Sequence, residues 1–338
     1  MIFNKTGVKI SPIKKLLGIV AVGHILLSAC GGGNDPEPTL EDQTSIDKAL
    51  IEAYLTENNI TATEDGSGIF YYPVVENPTG ALQQVKGSIL SIYYSAKVLN
   101  GQVIDEILLS QNEDPYKLKQ GVNSIVPVGL DIGLAFMKEG ETYTFLIPSG
   151  LAYGELTFST LIPANSVIEI EVELVLIENE QDQQDIEETL INDYIADKEL
   201  DDLVKNPTDK VELLPSGVYY KRISEGNEDE VAIKGEQIST TYIASFLDDA
   251  VFDRTSGNDT FDFNFDSKVV MDGLDLGIAE MEKGERALLI IPSAQAYQQS
   301  VGVIPSYLSD ELVELQVIPE YASKVAPYKV LVFDITLL

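Results

Sequence analysis

Beyond residue 30 the chain has no cysteine and no histidine, and tryptophan is absent throughout. Without paired cysteines there is no disulfide framework. Without histidine or a thiol, Ser-His-Asp and Cys-His nucleophilic chemistry are excluded, as are most zinc sites. No DxDxDG-type loop carries a glutamate at calcium spacing. Acid–base work would fall to carboxylates, lysines or tyrosines. Basic residues are scarce as well: 22 Lys and Arg stand against 55 Asp and Glu, a formal charge of −33. Such a chain is repelled by nucleic-acid phosphates and by anionic head groups, so no nucleic-acid partner is expected. Neither composition nor motif calls for a metal or a cofactor.

Long apolar runs are missing too, with one short exception near the start. Lys5, Lys9, Lys14 and Lys15 form a basic stretch, Leu16 to Leu27 an apolar one, and Leu27-Ser28-Ala29-Cys30 follows. A bilayer span takes roughly 20 apolar residues, whereas this run fits the core of a secretory signal. Its end resembles a bacterial lipobox, which implies cleavage after residue 29 and a lipid on Cys30. A bacterial outer-membrane lipoprotein, facing the periplasm or the cell surface, is expected. Residues 30–43 are rich in Gly, Pro and acid and read as a flexible tether.

Residues 44–66 read as an amphipathic helix and linker. Ile46, Leu50, Ile51, Tyr54 and Leu55 follow helical spacing, with Thr44 or Ser45 as N-cap. The same spacing returns at Ile186, Leu190, Ile191, Tyr194 and Ile195, within a helical linker at 179–210 that Lys205-Asn206-Pro207 closes. Such stripes pack on their own domain or form the seam of a homodimer. Over 67–178 and again over 211–338 the chain alternates apolar and polar residues as strands do: Ile69–Tyr72, Ser88–Val98, Glu141–Ile147 and Val167–Ile177, then Val218–Ile223, Gln237–Phe246, Glu285–Ile291 and Val330–Leu337. One short helix interrupts each region, at Gly129–Lys138 and Gly273–Glu282. Many strands around one helix predict two α+β domains with antiparallel sheets.

The two regions are copies. Residues 126–153 read VPVGLDIGLAFMKEGETYTFLIPSGLAY, and 270–297 read VMDGLDLGIAEMEKGERALLIIPSAQAY. Each is preceded by a tyrosine and, eleven residues on, an aspartate: Tyr94 with Asp105, Tyr242 with Asp253. A repeat of this size means two similar domains. The ordered elements are that Tyr-x10-Asp pair, Gly-Leu-Asp-x-Gly, Met-x-x-Gly-Glu, Ile-Pro-Ser-x-x-Ala-Tyr, and a last strand ending Glu-Val-Glu-Leu or Phe-Asp-Ile-Thr-Leu. Together they resemble the FKBP-type peptidyl-prolyl cis-trans isomerases over nearly all of 67–178 and 211–338.

That resemblance implies a curved antiparallel sheet wrapped on a short helix, with an apolar cup between them. In the second copy it implies a cup of Tyr242, Phe252, Asp253, Phe261, Val270, Met271, Leu274, Tyr297, Val325 and Phe333. Leu274 stands where the family has a tryptophan. Tyr297 would offer its hydroxyl to a substrate carbonyl, and the Met271 N–H could do the same. Gln298 replaces a usual glycine, and residues 298–324 read as an insertion that could cover, extend or block this cup. In the first copy the implied cup is Tyr94, Ile104, Asp105, Tyr116, Val126, Leu130, Tyr153, Ile162 and Ile170. Ile104, Tyr116, Leu130 and Ile170 stand where the family favours Phe, Phe, Trp and Phe. An extra residue falls near Val126-Pro127-Val128-Gly129. If Pro127 takes the ligand-facing position, its N–H donor is lost; if Val126 does, the donor survives. Apolar residues at alternating strand positions also serve simply as core, and Asp105 and Asp253 could fix a strand end by binding Tyr94 and Tyr242.

Turning an X–Pro bond breaks amide resonance, against a barrier of about 20 kcal/mol. No proton or nucleophile has to move. A dry apolar cup favours the less polar twisted amide, and donors can hold it. The missing histidine and cysteine are therefore no obstacle. The leading expectation is an envelope isomerase acting on proline-containing unfolded or partly folded polypeptides, membrane-attached through Cys30. The alternatives are a non-catalytic chaperone or binding module of this fold, and a structural subunit of an outer-membrane complex.

Overall fold

A computed structural model describes residues 40–77, 81–158, 160–202, 210–298 and 300–338. The leader, Cys30, most of the tether and Lys205-Asn206-Pro207 lie outside the described residues. In chain order the first copy holds α1 (Leu40–Glu57), β1 (Thr63–Glu64), β2 (Phe70–Val75), β3 (Ile89–Val98), β4 (Val103–Ile107), β5 (Tyr116–Lys119), β6 (Ile125–Val126), α2 (Val128–Leu134), β7 (Thr142–Ile147) and β8 (Ile168–Glu178). The rest of the chain holds α3 (Glu180–Asp197), β9 (Glu212–Leu213), β10 (Tyr219–Ser224), β11 (Asn227–Val231), β12 (Gln237–Ser245), β13 (Val251–Arg254), β14 (Phe261–Asn264), α4 (Asp272–Ile278), β15 (Glu282–Lys283), β16 (Arg286–Ile291), β17 (Gly302–Val303), α5 (Ser309–Glu314) and β18 (Leu331–Leu337).

These elements form two compact units. The first contains the described residues up to Glu178 together with Val301–Pro319; the second contains Asn179–Ser300 and Glu320–Leu338. The insertion read at 298–324 therefore splits. Its middle belongs, by its contacts, to the first unit, and only its ends to the second.

Each unit is an antiparallel sheet with the same connectivity. The first runs β1-β2-β7-β8-β3-β4, with β5 also on β3; the second runs β9-β10-β16-β18-β12-β13, with β14 also on β12. Ile170 pairs with Ala96 and Phe145, and Phe333 pairs with Ala244 and Leu289. The two residues thus hold equivalent central places, each beside a small alanine. The α+β class is as expected.

The Gly-Leu-Asp-x-Gly motif explains how each short helix lies against its sheet. A Cβ on Gly129 would strike Ile147, and one on Gly133 would strike Phe145; Gly273 and Gly277 meet Ile291 and Leu289 in the same way. Glycines four apart share one helix face, so this face comes closer than any side chain allows. In the Met-x-x-Gly-Glu turn, Gly140 and Gly284 have φ of 79° and 85°, a region that favours glycine. Glu141 and Glu285 then accept the N–H of Lys138 at 2.7 Å and of Glu282 at 3.1 Å, closing the turn.

The helices preceding each domain depart from the expected face. Ile51 and Leu55 pack with Phe70, Leu146 and Val167, and Ile191 packs with Tyr219, Ile290, Val330 and Val332. Each helix thus packs within its own unit. Ile46, Leu50 and Leu190, read as part of the stripes, are about half exposed, at 46%, 51% and 49%. Asp47 and Glu187 point inward instead. The Asp47 carboxylate accepts the Ser149 N–H at 2.8 Å and hydroxyl at 2.6 Å; Glu187 accepts those of Ser293 at 2.9 and 2.5 Å. A buried N–H and hydroxyl need an acceptor, and that need turns the helix. Thr44 and Ser45 lie inside α1 rather than capping it. Asn179 caps α3 in a capping box with Asp182.

Candidate active site

In the second unit, β12 and β13 bring Tyr242 and Asp253 together, with the Tyr242 hydroxyl donating to Asp253 at 2.7 Å. The Tyr242 ring meets Phe261 edge-on at 6.0 Å and Phe333 at 5.7 Å, and Phe252 meets Phe333 edge-on at 6.3 Å. Val270, Met271, Leu274 and Val325 are buried and join the same core cluster as Phe261 and Phe333. Leu274 is the first-turn residue of α4 that reaches this floor, 1% exposed. Tyr297 follows the 3₁₀ turn Ser293–Gln295 at the end of β16. Among the described residues its hydroxyl has no hydrogen-bond partner, and burial first, then Tyr321, pushes its pKa up. It stays a neutral donor at ordinary pH. The Tyr321 ring lies flat on the Tyr297 ring at 4.2 Å, and Lys324 stands 3.7 Å from Asp253. All ten residues expected for this cup therefore assemble, with Tyr321 and Lys324 added from the far end of the insertion.

In the first unit the corresponding pair is present too. The Tyr94 hydroxyl donates to Asp105 at 2.9 Å, and Tyr116 meets the Tyr94 ring edge-on at 6.2 Å. Ile104, Val126, Leu130, Tyr153, Ile162 and Ile170 are all buried. Phe158, which the sequence reading missed, packs edge-on against Tyr153 at 5.7 Å; it adds to this cup an aromatic that Ile104 and Ile170 lack. The register at the helix is settled by the caps: Pro127 N-caps α2 as Met271 N-caps α4. Pro127 thus holds the position whose N–H could face a ligand, and it has none.

The insertion reaches the residues of the first site. The Tyr153 hydroxyl donates to the carbonyl oxygen of Ile304. The Ile304 and Gly302 N–H groups donate to the carbonyls of Val126 and Ser124, at 2.8 and 2.7 Å, which makes β17 a parallel partner of β6. The Ser306 N–H donates to Asp105 at 3.2 Å, and the Val303 backbone hydrogen-bonds the Tyr116 hydroxyl. Val303, Ile304, Pro305 and Leu308 are buried. Burial, before any other cause, raises the pKa of Tyr94, Tyr116, Tyr153 and Asp105. The insertion was expected to bear on the second cup; its middle instead fills the first.

A model of the FKBP-type peptidyl-prolyl cis-trans isomerases matches residues 80–175 and 228–338. The chain belongs to the FKBP-type peptidyl-prolyl cis-trans isomerase family. Peptidyl-prolyl cis-trans isomerase FKBP2 of Mus musculus is 38% identical over 93 residues, 28% of this chain and 64% of that protein. Peptidyl-prolyl cis-trans isomerase FKBP11 of Bos taurus is 35% identical over 91 residues, 27% of this chain and 43% of that protein. The chain spans less than two thirds of both. FK506-binding protein 1 of Saccharomyces cerevisiae is 32% identical over 98 residues, 29% of this chain and 83% of that protein.

Much of the FKBP signature read from this sequence is structural rather than chemical. Asp131 is buried and accepts the N–H of Gly121 at 2.7 Å and of Asn123 at 2.9 Å; Asp275 accepts that of Asp266 at 3.2 Å. Each pins the strand-to-helix loop. Ser149 and Ser293 of the Ile-Pro-Ser motif tie the turns after β7 and β16 to the helix ahead of the domain. The signal for Asp47 and Glu187 was present in the sequence: each sits four residues before Ile51 or Ile191, hence on the same helix face. Among the described residues no acidic, Cys or His cluster could hold a metal, and no helix is long and apolar enough to cross a membrane.

Proposed function

We propose that this protein is a cell-envelope peptidyl-prolyl isomerase acting on proline-containing stretches of unfolded or partly folded polypeptides, and that the second cup does the work. The observation that carries this reading is the Tyr297 hydroxyl, which has no hydrogen-bond partner among the described residues and stands beside the aromatic cluster of Phe252, Phe261 and Phe333. A carbonyl of an X–Pro bond entering there would accept from Tyr297. The Tyr242–Asp253 pair stands beside Tyr297 with its own hydrogen bond made. Inside this apolar wall the planar, more polar amide is disfavoured relative to the twisted one. A neutral phenol is sufficient, because no proton is transferred. The Cys30 lipid would hold the protein at the membrane, since an acidic chain gains nothing from anionic lipid.

A protease-coupled Xaa–Pro isomerisation assay tests the activity. The full chain should accelerate the reaction and Tyr297→Phe should lose most of that acceleration; no acceleration by the full chain would end the catalytic reading. For the membrane claim, Cys30→Ser should move the protein from the membrane to the soluble fraction; unchanged fractionation would end it. A second reading, peptide binding without turnover, is favoured by Tyr321, which lies over Tyr297. Suppressed aggregation of a proline-free substrate, with no isomerisation, would support it.

A further inference from the structure

Two polar fixtures of the first cup bracket a single residue of the insertion. Tyr153 holds the carbonyl of Ile304, which is the carbonyl of the amide to Pro305. Asp105, itself held by Tyr94, takes the N–H of Ser306, the residue after that proline. Gly302 lies so close to Tyr116 that a Cβ there would collide with the hydroxyl. Between these points Val303, Ile304 and Pro305 are buried, and Leu308 and Leu312 follow them into the unit at 2% exposure each.

From this we infer that residues 302–308 are a resident ligand of the first cup. That cup is then a binding site for prolyl peptides with a branched aliphatic residue before the proline, and it takes an external peptide only when its own segment leaves. The inference rests on the isomerase-family reading of the cup and adds what occupies it. The lost donor at Pro127 fits the same picture. The segment gains its backbone bonds from the carbonyls of Ser124 and Val126, so it lies along β6 as a strand and needs nothing from position 127. The glycine at 302 admits the strand beside Tyr116. A tethered ligand competes at an effective concentration on the order of mM, so moderate intrinsic affinity keeps the cup filled. Release of the segment, by a partner or by a tighter client, would expose a second peptide site.

The test uses the full chain and a fluorescein-labelled peptide, Gly-Val-Ile-Pro-Ser-Tyr-Leu, read by fluorescence anisotropy. Gly302→Val should displace the segment and tighten peptide binding at least about tenfold over the parent. Adding Tyr153→Phe to Gly302→Val should remove that gain, whereas the gain of Gly302→Val over the parent should persist when both also carry Tyr297→Phe. Replacing the isoleucine of the peptide by glutamate should weaken binding at least about tenfold, as expected for a charge entering an apolar site. Should Gly302→Val not fold, Ile304→Asp is the second variant, with the same expected gain. Equal affinity of parent and displaced variants would overturn the inference. So would a gain that depends on Tyr297 rather than Tyr153. Because the readout is binding, absence of turnover would remove the catalytic reading and leave this one standing.

Discussion

The two cups share topology, helix, tyrosine–aspartate pair and tyrosine loop, and they differ in what meets the tyrosine hydroxyl. In the first, Tyr153 donates to a carbonyl of the chain's own insertion. In the second, Tyr297 has a ring, Tyr321, on its face and no hydrogen-bond partner among the described residues. The walls differ in the same direction. Phe252, Phe261 and Phe333 belong to the aromatic cluster of the second site, whereas Ile104, Tyr116 and Ile170 stand in the first. A site whose resting occupant is a Val-Ile-Pro stretch has its volume filled by that stretch and needs less aromatic wall. Sequence divergence in the first site therefore matches a resident occupant rather than decay.

The largest expected effects test whether these walls are also core. Phe333 is fully buried, so Phe333→Ala should cost about 3–5 kcal/mol of unfolding free energy. Ile170→Ala at the equivalent place should cost about 2–4 kcal/mol. Denaturant titration measures both, and equal costs would mean the extra rings of the second cup contribute nothing to stability. Next in size, Asp47→Ala and Glu187→Ala each strand a buried N–H and hydroxyl of a serine. Each should cost about 2 kcal/mol, and a clear difference between them would break the symmetry of the two helix anchors.

Smaller, and closer to function, is the tyrosine comparison. Tyr297→Phe should lower isomerase activity of the full chain about tenfold, the equivalent of one transition-state hydrogen bond of about 1.4 kcal/mol. Tyr153→Phe should leave that activity unchanged while costing about 1 kcal/mol in stability. The coupled assay and a melting curve separate the two. The smallest effect concerns pH. Burial raises the Asp275 pKa to about 6, above its value in the unfolded chain. The folded state therefore binds the extra proton, and this stabilising contribution is full below about pH 4 and lost as pH rises through about 6. Asp275→Asn should flatten the melting temperature across that range. Asp131 has two backbone donors rather than one, so Asp131→Asn should cost about 1 kcal/mol more at neutral pH than Asp275→Asn. The melting temperatures of the two variants check this.

Much of this was legible in the sequence. Among the described residues, strand alternation and the duplicated motif located the eight longest strands and both domain helices, because burial on one face imposes a period that survives in the residues. The residue set of the second site came from the family resemblance rather than from periodicity, since Leu274 lies on α4 and Tyr297 and Val325 lie outside the strands. Three things were not legible. The spacing to Ile51 and Ile191 puts Asp47 and Glu187 on the inward face of α1 and α3, but their partners Ser149 and Ser293, about a hundred residues away, carried no sign in the sequence. Phe158 lies in a loop with no period to betray it. The destination of Val301–Pro319 depends on which surface offers acceptors in the right row, here Ser124 and Val126. A run reading Gly-Val-Ile-Pro carries no mark of the domain that will hold it.

Amide hydrogen exchange at Gly302 and Ile304 in the full-length protein tests the central claim most directly, because these two N–H groups join the segment to β6. The account predicts exchange as slow as that of interior strand amides, abolished by Gly302→Val or Ile304→Asp. Exchange at the rate of an unstructured chain would contradict it, and the first cup would then be open.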